Sequence, residues 1–163
     1  MTDSNQQDFN AMSSALTGIP EDKLAPEIDP IGLPPVFLQV CETGMGSAAF
    51  NALLTQYRSA KAAGQTPDQI AASLLADTSS QTAQGARSLM KLWLLGVWYQ
   101  PYDLNGVAQG SQRVVSDQAY KESWAWRIAQ AHPMGYSQLH FGYWASEPPP
   151  LSAFVGIQGG KQS

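Results

Sequence analysis

With one cysteine, two histidines and only 13% charged residues, this sequence has little of the material that most catalytic chemistry needs. A lone Cys41 can form no internal disulfide, no CxxC pair and no haem-attachment pattern, and a single cysteine in an apolar stretch ordinarily serves as a small core residue. His132 and His140 match no metal-ligand spacing and lie far from Cys41. The basic residues are dispersed, as at Arg58, Lys61, Arg87, Lys91 and Arg113, and the net charge is -4. No positive stripe is available to follow a phosphate backbone, which sets nucleic acid aside. No apolar run reaches the roughly 20 residues of a spanning helix. The longest, Leu92 to Tyr99, stops at Gln100-Pro101, so no membrane span of its own is expected. The opening Met1 to Gln7 lacks basic residues, an apolar centre and a small-residue cleavage site, so no export signal is expected within it. The charged share is about half of the usual one, a hint that a partner covers part of the surface.

What the chain does have is helical periodicity followed by a concentration of aromatics. Phe9, Met12 and Leu16 predict a helix over 4–17, stopped by Gly18 and Pro20. Residues 19–35 carry five prolines and predict an irregular connector. Its Leu24, Ile28, Ile31 and Leu33 are expected to lie against the body. Residues 36–43 suit either a strand or a short helix, and Pro34-Pro35 favour the helix. Gly44 and Gly46 then break it, Ser47 caps the next helix, and Phe50, Leu53, Leu54 and Tyr57 form its buried stripe up to Gly64. Thr66-Pro67-Asp68-Gln69 has the form of a capping box with proline at the first helical position, opening a helix that buries Ile70 and Leu74. A long central helix starts at Thr78 or Ser79 and runs to Pro101, with Ala83, Ala86, Leu89, Met90, Trp93, Leu94 and Val97 inward. Gly96 within it implies close approach of another backbone. After a loop over 101–113, a last helix over 116–131 places Tyr120, Trp124, Arg127, Ile128 and Ala131 on one face, with Trp126 directed elsewhere. Trp93, Val97, Trp124 and Ile128 are expected to pack the last two helices together across Gly96. The expected fold class is therefore all-α: a single helical domain of five to six helices over 1–131, with a long irregular, aromatic and proline-rich arm over 132–163.

No catalytic set emerges. There is no nucleophile elbow, no His-Glu-x-x-His pair and no phosphate loop. Gly44-Met45-Gly46-Ser47-Ala48-Ala49 matches a loose dinucleotide fingerprint, but another helix opens at Thr66 where the second strand should stand, so these glycines are read as a helix break. The arm is different. Tyr136, Phe141, Tyr143 and Trp144 lie where no regular structure is expected, and large amphipathic rings in such a setting suit anchoring to another protein. They also suit a free-standing module that stacks on sugar rings, with Ser137, Gln138 and His140 orienting hydroxyls.

The order of these pieces resembles the small subunit of membrane-bound, FAD-dependent sugar and polyol dehydrogenases, the sorbitol, fructose and glucose dehydrogenase small-subunit family. The residues that carry the resemblance are Phe9 with Leu16-Thr17-Gly18, Leu92-Trp93 with Gly96-Val97, and Val114-Val115-Ser116 leading into Gln118-Ala119-Tyr120. The closing Gly142-Tyr143-Trp144-Ala145-Ser146-Glu147-Pro148 is the most specific of them. The resemblance implies a chain that is not itself the enzyme and binds no cofactor or metal. It implies that Tyr136, His140, Phe141, Tyr143, Trp144, Glu147 and Pro148 contact a large flavoprotein subunit of the glucose-methanol-choline oxidoreductase type. FAD would reside in that subunit, a multihaem cytochrome c would complete the complex, and the location would be the periplasm, at the inner membrane through the partners. Two features depart from the family pattern. Its usual twin-arginine signal is not seen ahead of Arg58, which leaves a cytoplasmic chaperone as the other location. Ser137 also stands near the place where some members have a tail cysteine, so a covalent link through the tail is not expected.

Overall fold

The computed structural model describes residues 2–101, 111–136 and 147. Its architecture is all-α, with one two-stranded ladder. Helix α1 (Thr2–Thr17) buries Phe9, Met12 and Leu16, as their spacing requires, and ends at Gly18, whose φ of 71° suits a residue without a Cβ. The proline-rich connector contains one short helix, α2 (Glu21–Leu24), which buries Leu24. Ile28 and Ile31 do not lie against the body as expected; they are 86% and 39% exposed. The side chain of Asp29 explains this. Its Oδ1 accepts from the backbone N–H groups of Ile31 and Gly32 at 2.9 and 2.8 Å, a local turn that satisfies the chain without burial.

Helix α3 (Leu33–Met45) starts with Pro34 and Pro35 in its first turn and settles the strand-or-helix choice as helix. It runs on through Gly44, so the break falls at Gly46 alone (φ 82°). Ser47 is the first residue of α4 (Ser47–Ala62) rather than its cap, and its hydroxyl turns back to Glu42 at 3.4 Å. Helix α5 (Pro67–Leu75) has both halves of the capping box. Thr66 Oγ1 accepts from the Gln69 N–H at 3.3 Å, and Gln69 Oε1 accepts from the Thr66 N–H at 2.9 Å. Helix α6 (Gln81–Leu95) is capped by Ser80, one or two residues later than expected, because Asp77 holds both the N–H and the hydroxyl of Ser79 in a turn.

The central helix is also shorter than its apolar pattern suggested. It stops at Leu95, Gly96 takes a φ of 65°, and strand β1 (Val97–Tyr99) pairs antiparallel with β2 (Gln112–Val114), Trp98 opposite Arg113. A β-branched residue followed by two aromatics favours the strand once the glycine has turned the chain. The expected last helix is two: α7 (Asp117–Lys121), capped by Ser116, and α8 (Trp124–Ile128), separated at Glu122-Ser123. The break lets Trp124 enter the core at 3% exposure while Ile128 stays 42% exposed and Ala131 lies on the surface.

The core gathers Phe9, Phe37, Phe50, Leu53, Leu54, Leu89, Leu92 and Trp93 from α1, α3, α4 and α6. Trp93 does not pair with Trp124 across Gly96. Its ring meets Phe37 edge-on, centroids 4.8 Å apart, and Trp124 lies beneath the Arg127 guanidinium. The backbone that approaches Gly96 is that of α7: a Cβ on Gly96 would overlap the carbonyl group of Ala119 and crowd the amide nitrogen of Tyr120. Cys41 is fully enclosed in this core, and burial pushes its thiol far above the ordinary cysteine range, so it is not a reactive group in the folded chain.

Candidate docking surface

The functional side chains expected from sequence fall at and beyond the end of α8. Of these, Tyr136 and an exposed Glu147 are among the described residues; His140, Phe141, Tyr143, Trp144 and Pro148 lie outside them. Tyr136 is 41% exposed and returns to α7. Its hydroxyl donates to Asp117 Oδ1 at 2.6 Å, and Lys121 Nζ, 2.6 Å from Asp117 Oδ2, sits 4.0 Å above the Tyr136 ring. Tyr120 lies 6.5 Å from that ring, centroid to centroid, and meets Trp126 edge-on at 5.5 Å, while Trp126 Nε1 donates to the Tyr120 carbonyl. Trp126, assigned elsewhere by helical periodicity, therefore joins Tyr120 because the Glu122-Ser123 break rotates α8.

This arrangement makes Tyr136 an anchor for the chain leaving α8, since one ring face is taken by Lys121 and its hydroxyl by Asp117. The hydrogen bond from Lys121, reinforced by that from Tyr136, holds the Asp117 carboxyl below its ordinary range, and the bond to Asp117 raises the Tyr136 phenol. Lys121 is raised for the same reason. The signs follow from linkage. A depressed Asp117 stabilises the fold above its unfolded value of about 3.9, and that contribution is lost as pH falls through the lower folded value. A raised Tyr136 contributes below about pH 10, and its share is lost as pH rises through the higher folded value. We expect Asp117→Asn to bring the Tyr136 phenol back toward its ordinary value, read as the absorbance difference between this variant with Tyr136 present and with Tyr136→Phe. An unchanged Tyr136 titration would mean the contact does not form.

Elsewhere on the surface, α6 and α8 leave an apolar groove of about 360 Å³ between Leu94 and Leu95 on one wall and Ala125, Ile128 and Ala129 on the other. Lys91 stands at its rim and passes 4.9 Å from the Tyr99 ring. Counting the rim Lys91, the lining residues fall at i, i+3 and i+4 on α6 and again from Ala125 to Ala129, the capping residue of α8. The sequence pattern concealed the groove, because Leu94 reads as part of the core stripe and Ile128 as part of a buried face. The signal that could have revealed it is the pair of small residues flanking Ile128.

Two further concavities differ in lining. A cleft of about 160 Å³ by Thr43, Gly44, Trp98, Gln100 and Arg113 is lined by a hydrogen-bond chain, Trp98 Nε1 donating to Gln100 Oε1 and Gln100 Nε2 to the Gly44 carbonyl, both 2.9 Å. A broad trough of about 500 Å³ along α4 and α5 is lined by hydroxyls and amides of residues such as Thr55, Gln56, Ser59 and Ser80. Among the described residues no group of three or more His, Cys, Asp or Glu side chains could hold a metal, and no helix is long and apolar enough to cross a membrane. The glycines of the dinucleotide-like run serve packing: Gly44 lies inside α3 under the Trp98 indole and Gly46 is the joint to α4. Comparison with protein-family models, curated proteins and solved structures finds no match for this chain.

Proposed function

We propose that this chain is a non-catalytic accessory subunit that binds, stabilises and helps mature or export the FAD-containing catalytic subunit of a sugar or polyol dehydrogenase complex. The observation that carries the proposal is the closing Gly142-Tyr143-Trp144-Ala145-Ser146-Glu147-Pro148 segment, whose order after Leu92-Trp93, Gly96-Val97 and Val114-Val115-Ser116 resembles that family's small subunit. What supports it physically is the α7–α8 region, which exposes Ile128 and Tyr136 and opens an apolar groove toward α6. In this reading the flavoprotein large subunit holds the FAD, a multihaem cytochrome c passes the electrons onward, and the complex works on the periplasmic side of the inner membrane.

Co-expression with the flavoprotein subunit tests the reading. The yield of flavin-loaded enzyme is expected to rise severalfold when this chain is present, and equal yields with and without it would overturn the proposal. The anchored state of Tyr136, with Lys121 over its ring and its hydroxyl on Asp117, leaves that ring face and hydroxyl unavailable for stacking on a sugar. Sugar-dependent tryptophan fluorescence of the isolated chain would instead identify a carbohydrate-binding module.

A further inference from the structure

We infer that the groove between α6 and α8 is the seat for an amphipathic helix of the flavoprotein subunit, whose aliphatic side chains fill the floor and whose carboxylate pairs with Lys91. The inference rests on the accessory-subunit reading and assigns to it a surface other than the aromatic arm. Three observations carry it. The first is composition: the groove offers Leu94, Leu95, Ala125, Ile128 and Ala129 to solvent, with Leu95 and Ile128 37% and 42% exposed. An apolar cleft left open in this way marks a place where another surface packs.

The second is shape. Lys91, Leu94 and Leu95 of α6, and Ala125, Ile128 and the capping Ala129 at the end of α8, each fall at i, i+3 and i+4, and the two alanines leave room between the helices. A third helix can lay its own ridge of side chains into such a furrow, the helix-in-groove mode of recognition.

The third is charge. Residues 1–86 hold three basic and nine acidic side chains, whereas residues 87–163 hold six and four. Within the cationic part, Asp117 and Glu122 are already paired with Lys121 and Arg127. Lys91 at the groove rim makes no ion pair among the described residues and lies over the Tyr99 ring. An apolar floor beside a cation that makes no ion pair among the described residues matches a partner face that carries leucine-like side chains flanked by Asp or Glu.

The experiment is co-purification of the full chain with the co-expressed flavoprotein subunit, followed by titration of the separated components. Ile128→Asp is expected to weaken the complex at least tenfold. Lys91→Glu is expected to weaken it by about the same factor and Lys91→Arg to leave it within a factor of two or three. Gln56→Glu, in the polar trough, serves as the control and should change nothing. Circular dichroism melting checks that each variant still folds, which these exposed positions should permit. If the wild-type chain binds and the groove variants bind equally well, the groove assignment fails while the accessory reading stands. If the wild-type chain does not bind the flavoprotein, both fail. Loss of a homodimer in Ile128→Asp with flavoprotein binding retained would show a second copy in the groove and overturn the assignment.

Discussion

Replacing Gly96 with alanine is expected to destabilise the chain by about 3 kcal/mol, far more than the same change at Gly64. Both glycines have left-handed backbone, φ 65° and 71°. An alanine there carries a conformational cost of about 1 kcal/mol wherever it occurs. Around Gly64 a new Cβ would meet nothing within 4 Å, so that cost is the whole effect. At Gly96 the new methyl would instead overlap the Ala119 carbonyl group and crowd the Tyr120 amide, and these are backbone atoms that cannot rotate away. Overpacking of this kind adds about 1–3 kcal/mol.

The chain can escape the overlap only by moving α7 off the end of α6, which uncovers Ala119 and Trp124, both buried in the native fold. Urea unfolding of the wild type, Gly64→Ala and Gly96→Ala measures the difference directly. Equal midpoints for the two variants would show that the close approach of α7 is absent. Because Tyr136 is anchored to α7, a displaced α7 should also return the Tyr136 phenol toward its ordinary titration range.

The early part of the fold was legible because local and tertiary preferences agree there. The stripe Phe50, Leu53, Leu54, Tyr57 and the capping box at Thr66 specify helix face and helix start in the same few residues, and both appear as read. The end of the central helix was not legible, for a physical reason. Trp93, Leu94 and Val97 continue a helical apolar pattern, yet Trp98 and Tyr99 are equally good strand residues, and pairing with residues 112–114 decides between them. That pairing is a long-range contact that no local window contains. Gly96 signalled the close approach but not which backbone approaches.

The candidate docking surface was legible in part. Tyr136 was picked out as a partner contact from its position in the arm, but its Asp117 and Lys121 partners, nineteen and fifteen residues earlier, make it an anchor. The groove was missed because a helix face that is half core and half open carries one apolar pattern. Leu92 is fully buried while Leu95, in the same turn, is 37% exposed. Periodicity reports that a face is apolar; it does not report whether the chain itself or another molecule covers it.

The second large effect is at the contact of Gly44 with Trp98, where one substitution is expected to change sign with its background. The Trp98 indole is 3% exposed, lies against the Gly44 backbone, and donates to Gln100 Oε1 at 2.9 Å. Trp98→Ala should cost about 3–5 kcal/mol, the range for emptying a buried tryptophan site. It also takes from Gln100 Oε1 a buried donor, while Gln100 Nε2 still holds the Gly44 carbonyl at 2.9 Å. Gly44→Ala in the wild type should cost about 2 kcal/mol, because the methyl would overlap three atoms of the buried indole. With Trp98 already alanine that overlap is gone. Gly44 lies inside α3, and an alanine there gains helix propensity, so the substitution should now stabilise by about 0.5 kcal/mol. The double-mutant cycle therefore has an expected coupling of about 2.5 kcal/mol, far above the few tenths seen for independent sites. Urea midpoints of the four chains measure it. A coupling near zero would mean that Trp98 does not rest on Gly44, and that this glycine is held for some reason other than packing.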